Sequence, residues 1–273
     1  MSIFQAIILG IVQGLSEFLP ISSSGHLVLV PAMLGWSIPE DQVFPFGVLV
    51  QLGTLAAVFI YFRQDIWLMV KGFVNGLRER APFKEADSRR AWLIILATIP
   101  AGVIGLLLED VVEEAFKSPL AAGLFLLLTA VILWVSEHIS TQERVLEDIR
   151  WRDAVWIGLG QALAIFPGVS RSGATIASGV VRGINRRDAA RFSFLMSIPI
   201  MLAAGLLGLR DLLAVEDLTA FLPSMVIGFV TAGVVGYFSI AWLLAFMRER
   251  SMKLFAYYCV VFSGVALLVI YVF

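Results

Sequence analysis

The chain has 273 residues, of which 59% are hydrophobic and 15% charged, with a formal net charge of −1 and a mean hydropathy of +0.90. A soluble domain carries roughly a quarter of its residues as charges to cover its surface, so a water-soluble globule is excluded and an integral membrane protein is expected. The single cysteine excludes an internal disulfide.

Along the chain, residues 2–36 come first. Two apolar stretches, about 2–16 and 26–36, flank the sequence LPISSSG at 19–25. Both are too short to cross hydrocarbon, which takes about 20 residues of helix. The first residues lack a basic n-region and a small-residue cleavage site, so the segment reads as uncleaved. Three charge-free stretches follow, 42–62, 91–108 and 118–136. The basic segment 63–90 between the first two has an amphipathic look and is expected against anionic lipid, with no nucleic-acid partner. His138, beside Glu137, reads as an interfacial anchor. A second interrupted apolar segment spans 153–183, with stretches about 153–166 and 173–183 on either side of FPGVSRSG at 166–173, and stretches 192–209, 218–247 and 254–273 complete six spans. Gln51 and Gln161 are expected to be interhelical hydrogen-bond partners, and Cys259 a small packing residue.

The two broken segments are related. At an offset of 148, GIVQGLSEFLPISSSGHL (10–27) aligns with GLGQALAIFPGVSRSGAT (158–175), with seven identities in eighteen positions. Chance would give roughly one or two, so a duplication is expected. Residues 1–137 form the first repeat and 153–273 the second, within one membrane domain. Short broken helices at matching places in two halves indicate re-entrant hairpins and a binding site where they meet. An odd number of spans per half inverts the second relative to the first. Basic residues agree: segments 63–90, 138–153, 182–191 and 247–253 hold 17, and the alternate segments 109–118 and 210–217 hold two. The basic segments are then cytoplasmic and both termini outside. The expected fold is all-α, six transmembrane helices and two re-entrant hairpins in an inverted-topology repeat.

Apart from Asp153 and Arg182 at the ends of the second hairpin, charged or titratable side chains within the hairpins are sparse: Glu17, His26 and Arg171. A charge at the bilayer centre costs roughly 2.5–3.5 kcal/mol on insertion scales, so such groups pair or act. Ser22, Ser23 and Ser24 before Gly25 supply hydroxyls and backbone N–H groups at a positive helix end. Ser170, Arg171, Ser172 and Gly173 offer the same with a guanidinium fork suited to phosphate oxygens. Two such cradles facing one another fit a diphosphate. Structural roles stand beside these: Glu17 tying the hairpins through Arg171, His26 packed and hydrogen-bonded, Ser22 and Ser24 capping a helix.

QGLSE (13–17), LPISSSGH (19–26) and PGVSRSGAT (167–175) closely resemble the undecaprenyl-diphosphate phosphatase family associated with bacitracin resistance, over essentially the whole chain. The resemblance implies hydrolysis of undecaprenyl diphosphate to the monophosphate carrier lipid, in the bacterial inner membrane, with an outward-facing site and a divalent ion, Mg²⁺ or Ca²⁺. By position, the family's acidic motif falls on Gln13 and Glu17, its serine motif on Ser22, Ser23, Ser24 and His26, and its arginine motif on Ser170, Arg171, Ser172 and Thr175. Many members have a second acid where this chain has Gln13, and a neutral amide is a weaker Mg²⁺ ligand. The expected partners are the diphosphate lipid and the bilayer, with a homo-oligomer left open.

The expected chemistry has Ser23 attacking the terminal phosphorus with His26 as base. Glu17 orients His26 or holds the metal, and Arg171 neutralises phosphoryl charge. Attack by water or by His26 itself remains open. The rival is a transporter of a polyprenyl phosphate, since broken helices in inverted repeats also mark transporters.

Overall fold

Inside hydrocarbon, backbone N–H and C=O groups must bond within their own segment, which a helix achieves turn by turn. The computed structural model describes residues 1–212, 215 and 217–272, and among them the only strand-like pairing is an isolated bridge between Arg144 and Ile184. Six helices are long and apolar enough to cross a membrane: α3 (Glu40–Tyr61), α5 (Ala86–Leu107), α7 (Pro119–Ile139), α10 (Arg186–Leu212), α11 (Leu218–Phe246) and α12 (Lys253–Val272). The chain is an integral membrane protein. Several helices begin before their charge-free stretch does. α10 opens at Arg186 rather than 192, and α5 takes in Arg89 and Arg90, because long basic side chains at a helix end can reach polar surroundings while the backbone stays helical.

The remaining helices are short. α1 (Ile3–Ser16) and α2 (Ser23–Met33) form one pair, and α8 (Trp151–Leu163) and α9 (Arg171–Val181) the other. The second helix of each pair starts earlier than the expected 26 and 173. The cause is capping: the Ser22 hydroxyl accepts from the Gly25 N–H at 3.3 Å and the Ser170 hydroxyl from the Gly173 N–H at 3.0 Å, which carries the helix back through the serine motif. The basic segment contains α4 (Arg63–Arg78), whose Met69, Gly72 and Gly76 are buried while Trp67, Leu68, Val70, Val74 and Leu77 are exposed. α6 (Glu109–Phe116) is a short acidic helix that the charge-free stretches did not indicate.

Packing exchanges the halves. α1 lies against α11, and α8 against α5. Glycine makes both approaches close: a Cβ at Gly10 would stand 2.9 Å from the Gly228 carbonyl, and one at Gly158 2.5 Å from the Ala97 carbonyl. Gly10 and Gly158 are themselves partners at the 148-residue offset. α7 packs on α12, where the Ser263 hydroxyl donates to the Gly123 carbonyl at 2.8 Å. Cys259 is fully buried there.

Ion pairs gather at the basic end. Asp153 accepts from Arg144 at 2.6 Å, Arg182 at 2.7 Å and the Arg150 N–H at 2.9 Å. Burial works against its ionisation, but these donors outweigh it and hold the carboxyl down at about 2. Glu137 pairs with Arg186 at 2.6 Å and accepts the Met252 N–H at 2.9 Å, tying three helices. His138, exposed, bonds within its own helix, to the Trp134 carbonyl at 2.8 Å.

Candidate active site

The breaks in the two helix pairs meet. A Cβ at Gly25 would lie 3.0 Å from the Gly168 Cα, and Gly168 has φ +99° with the Ala122 carbonyl 2.1 Å from where its Cβ would be. Only glycine fits that second position. Thr129 on α7 braces the same turn, donating to the Gly168 carbonyl at 2.9 Å and accepting the Ser170 N–H at 2.9 Å. From the other side, the Ser172 hydroxyl donates to the Leu19 carbonyl at 3.0 Å. The apolar frame is aromatic, with Phe18 against Phe194 edge-on at 5.2 Å.

Glu17 is the hub. One carboxylate oxygen accepts from Arg171 at 2.7 Å; the other accepts the Ser23 hydroxyl at 2.6 Å and the Gln13 amide at 2.8 Å. Gln13 sits one turn before Glu17 on the same face, which is why they meet. The matching Gln161 has Ile165 one turn on, and both its amide atoms are buried without a partner among the described residues. It is therefore not the interhelical hydrogen-bond partner expected. At Gln51 the backbone carbonyl is what serves, accepting from Thr54 at 2.7 Å.

The serine pairs repeat. Ser22 and Ser24 hydroxyls are 3.3 Å apart, and Ser170 and Ser172 hydroxyls 3.1 Å apart. Their turns differ, with the left-handed residue at Ser22 (φ 68°) in one and Gly168 in the other. Thr175 lies a turn deeper, its hydroxyl 2.6 Å from Ser193 of α10. Arg171 Nη1 is buried and has no partner among the described residues, so half of the guanidinium fork is unspent.

The expected Ser23–His26 contact is not made. Ser23 gives its hydrogen to Glu17, and both His26 ring nitrogens are engaged elsewhere: Nδ1 with the Ser22 carbonyl at 2.7 Å and Nε2 with the Tyr258 hydroxyl at 2.8 Å. Nor does Glu17 orient His26; its two oxygens go to Arg171, Ser23 and Gln13. At the start of a helix, side chains lean back toward the N-terminus, and this tilts Ser23 toward the end of α1. Thr129, Ser193 and Tyr258 were missed, since a lone hydroxyl in an apolar span gives no signal of which way it faces.

Glu17 is the single carboxylate of this cluster, and among the described residues no three His, Cys, Asp or Glu side chains converge as a metal cage. The donor set suits an ion of the Mg²⁺ type, which keeps water and leans on one or two carboxylates plus substrate phosphates.

Comparison with known proteins places the chain in a family. The Bacitracin resistance protein BacA family matches residues 6–265. The chain belongs to that family. A relative from Methanosphaera stadtmanae is 42% identical, covering 98% of each chain. One from Myxococcus xanthus is 44% identical over 99% of this chain and 89% of its own. A third, from Chlorobium chlorochromatii, is 43% identical over 98% and 96%. Each of the three carries the name undecaprenyl-diphosphatase. The match takes in both helix pairs and the six spans, except the first residues of α1 and the end of α12.

Proposed function

We propose that this chain hydrolyses undecaprenyl diphosphate to undecaprenyl phosphate and inorganic phosphate. It thereby returns the carrier lipid to cell-wall synthesis and confers resistance to bacitracin. The observation that carries the reading is the Arg171–Glu17–Ser23 array, in which a guanidinium with a free N–H pair stands beside a hydroxyl bonded to a carboxylate. Transport explains a cation that binds phosphate but not a hydroxyl held 2.6 Å from a base, and the named relatives are phosphatases.

In the proposed chemistry, Ser23 Oγ bonds to the terminal phosphorus as its hydrogen passes to Glu17, and the bond from that phosphorus to the lipid phosphate breaks. Glu17 releases this proton to the medium. It then takes one from attacking water and returns it to Oγ as the phosphoserine is cleaved. Arg171 neutralises the phosphoryl oxygens throughout. Ser22, Ser24, Ser170, Ser172 and the N–H groups at the starts of α2 and α9 hold the diphosphate. A divalent ion, Mg²⁺ or Ca²⁺, would be held by Glu17 and the substrate's own phosphates and would supply charge neutralisation. His26 shapes the Ser22 turn.

The two short helix pairs are re-entrant hairpins of an inverted repeat. The exchange of packing partners between halves and the recurrence of the serine pairs support this. The 17-to-2 distribution of basic residues supports both termini outside, with the first pair opening outward in a bacterial inner membrane. Purified protein should release phosphate from a prenyl diphosphate, and the Ser23→Ala protein should not. Lipid translocation without phosphate release would replace the reading by transport.

A further inference from the structure

Neither serine motif nor arginine motif points to α12, yet that helix supplies a partner to the buried His26. Tyr258, 232 positions away, places its hydroxyl 2.8 Å from Nε2, with the rings near-parallel at 8° and 5.7 Å. Phe262, one turn on, stacks on the imidazole at 4.2 Å and 16°. The ring is fixed on a face and at both nitrogens.

The partners determine the hydrogens. A carbonyl oxygen only accepts, so Nδ1 carries the hydrogen shared with Ser22. In the neutral ring Nε2 keeps its lone pair, and Tyr258 is the donor to it. Ser22 is the residue that needs the brace: its φ of 68° lies where L side chains rarely sit. Its hydroxyl caps Gly25 and its neighbour Ser23 is the group aligned on Glu17. The Ser22 carbonyl also accepts the His26 backbone N–H at 3.2 Å; a ring free to swing would leave it that helical bond alone, and the turn would loosen with Ser23 upon it.

We propose that Tyr258 is a positioning residue which, through His26, holds the Ser22 turn so that Ser23 meets Glu17. The kinetic part rests on the phosphatase reading; the ring geometry does not. Tyr258→Phe keeps the stack and removes the hydroxyl.

His138→Gln leaves His26 as the sole histidine, since the chain has two. In that protein, ¹⁵N-labelled on histidine, the ring should show one tautomer with hydrogen on Nδ1. Tyr258→Phe should move the Nε2 resonance toward that of an unbonded lone pair. In turnover, Tyr258→Phe should lower kcat about tenfold, as loss of one hydrogen bond to the ring predicts, with KM within about twofold. That loss should vanish in a His26→Ala background, because a residue acting through another has no effect once the other is gone.

Equal losses with and without His26, or an Nε2 signal indifferent to Tyr258→Phe, would overturn the proposal. If His26→Ala is too slow to measure, the ring spectrum decides alone. Absence of phosphate release by the parent protein would defeat the phosphatase reading and leave the ring spectrum as the test of this one.

Discussion

Arg171 and Glu17 meet at 2.7 Å across 154 positions of chain, one from each of the two broken segments. The pair is largely buried, with side-chain exposures of 15% and 7%. Taking two charges from water is costly, and a pair in such a place is a poor device for stability alone. Its geometry suits a different use: Nη2 is spent on Glu17 while Nη1 is not. A phosphate oxygen can thus be received before the pair is broken.

Arg171→Lys tests this. Lysine keeps the charge but offers a point cation in place of a planar fork. We expect at least a ~10²-fold fall in kcat, the scale of losing one transition-state donor. Phosphate release by folded variant protein measures it, and near-normal turnover would remove Arg171 from the chemistry.

Asp153 offers a test of stability at the basic end. Its carboxyl is held at about 2, against an ordinary value of about 3.9. A carboxyl lowered in the folded state contributes stability that is complete above the ordinary value and lost as pH falls through the lowered one. Thermal unfolding in detergent should therefore show a decline between about pH 4 and pH 2. Asp153→Asn should unfold at a lower temperature near neutral pH and show a flatter decline over that window. An unchanged midpoint would mean that Arg144 and Arg182 find other partners.

How much of this was legible beforehand depends on the kind of interaction. The spans follow from hydropathy because hydrocarbon imposes one length on every crossing. The meeting of 19–25 with 166–173 followed from the alignment of the two segments at an offset of 148. Hydrogen-bond direction was not legible. Ser23 and His26 are three residues apart, which suggested a pair, but the tilt of side chains in the first turn sent Ser23 to Glu17. The partner that His26 does find lies on α12, and nothing in FAYYC distinguishes Tyr258 from Tyr257. Gln161 shows the reverse error: its match with Gln13 is real in sequence, but the acid that gives Gln13 its bond is Ile165 in the second half.

Orientation can be read from outside the cell. In a Cys259→Ser background, cysteines at Ala81 and at the exposed Arg250 should resist an impermeant thiol reagent in intact cells. One at the exposed Glu114 of α6 should react. Labelling in the opposite sense would turn the site toward the cytoplasm and move the side from which diphosphate enters.

Gln13→Glu examines the metal. The Gln13 amide donates to Glu17 at 2.8 Å, and a second carboxylate there could not donate. Two anions would face each other, and a divalent ion would bridge them, since added charge and an oxygen ligand both favour it. The concentration of Mg²⁺ for half-maximal activity should fall, and activity with chelator should fall below that of the parent. An unchanged or raised requirement would leave the metal with the substrate phosphates and Glu17 with its proton-transfer role.

The identity of the attacking oxygen is the sharpest question the site poses. Ser23 has its hydroxyl hydrogen on Glu17 at 2.6 Å, the arrangement of a nucleophile beside its base. If Ser23 attacks, a quench during turnover should trap a phosphoserine that survives acid. Ser23→Ala should then lose nearly all activity, by roughly 10³-fold or more, since among the described residues no second hydroxyl bonds Glu17. Glu17→Gln should fall comparably, because an amide cannot take the proton. His26→Ala should keep more activity than either, as a brace of the Ser22 turn and not a proton acceptor. A terminal thiophosphoryl group made chiral with oxygen isotopes separates the routes independently: two in-line displacements through Ser23 give net retention at phosphorus, and one displacement by water gives inversion. Inversion together with substantial turnover in Ser23→Ala would assign the attack to water, with Glu17 as its base and Ser23 as a cradle hydroxyl. An acid-labile phosphoenzyme that disappears in His26→Ala would assign it to the imidazole instead, and would require Tyr258 to leave Nε2 before each turnover.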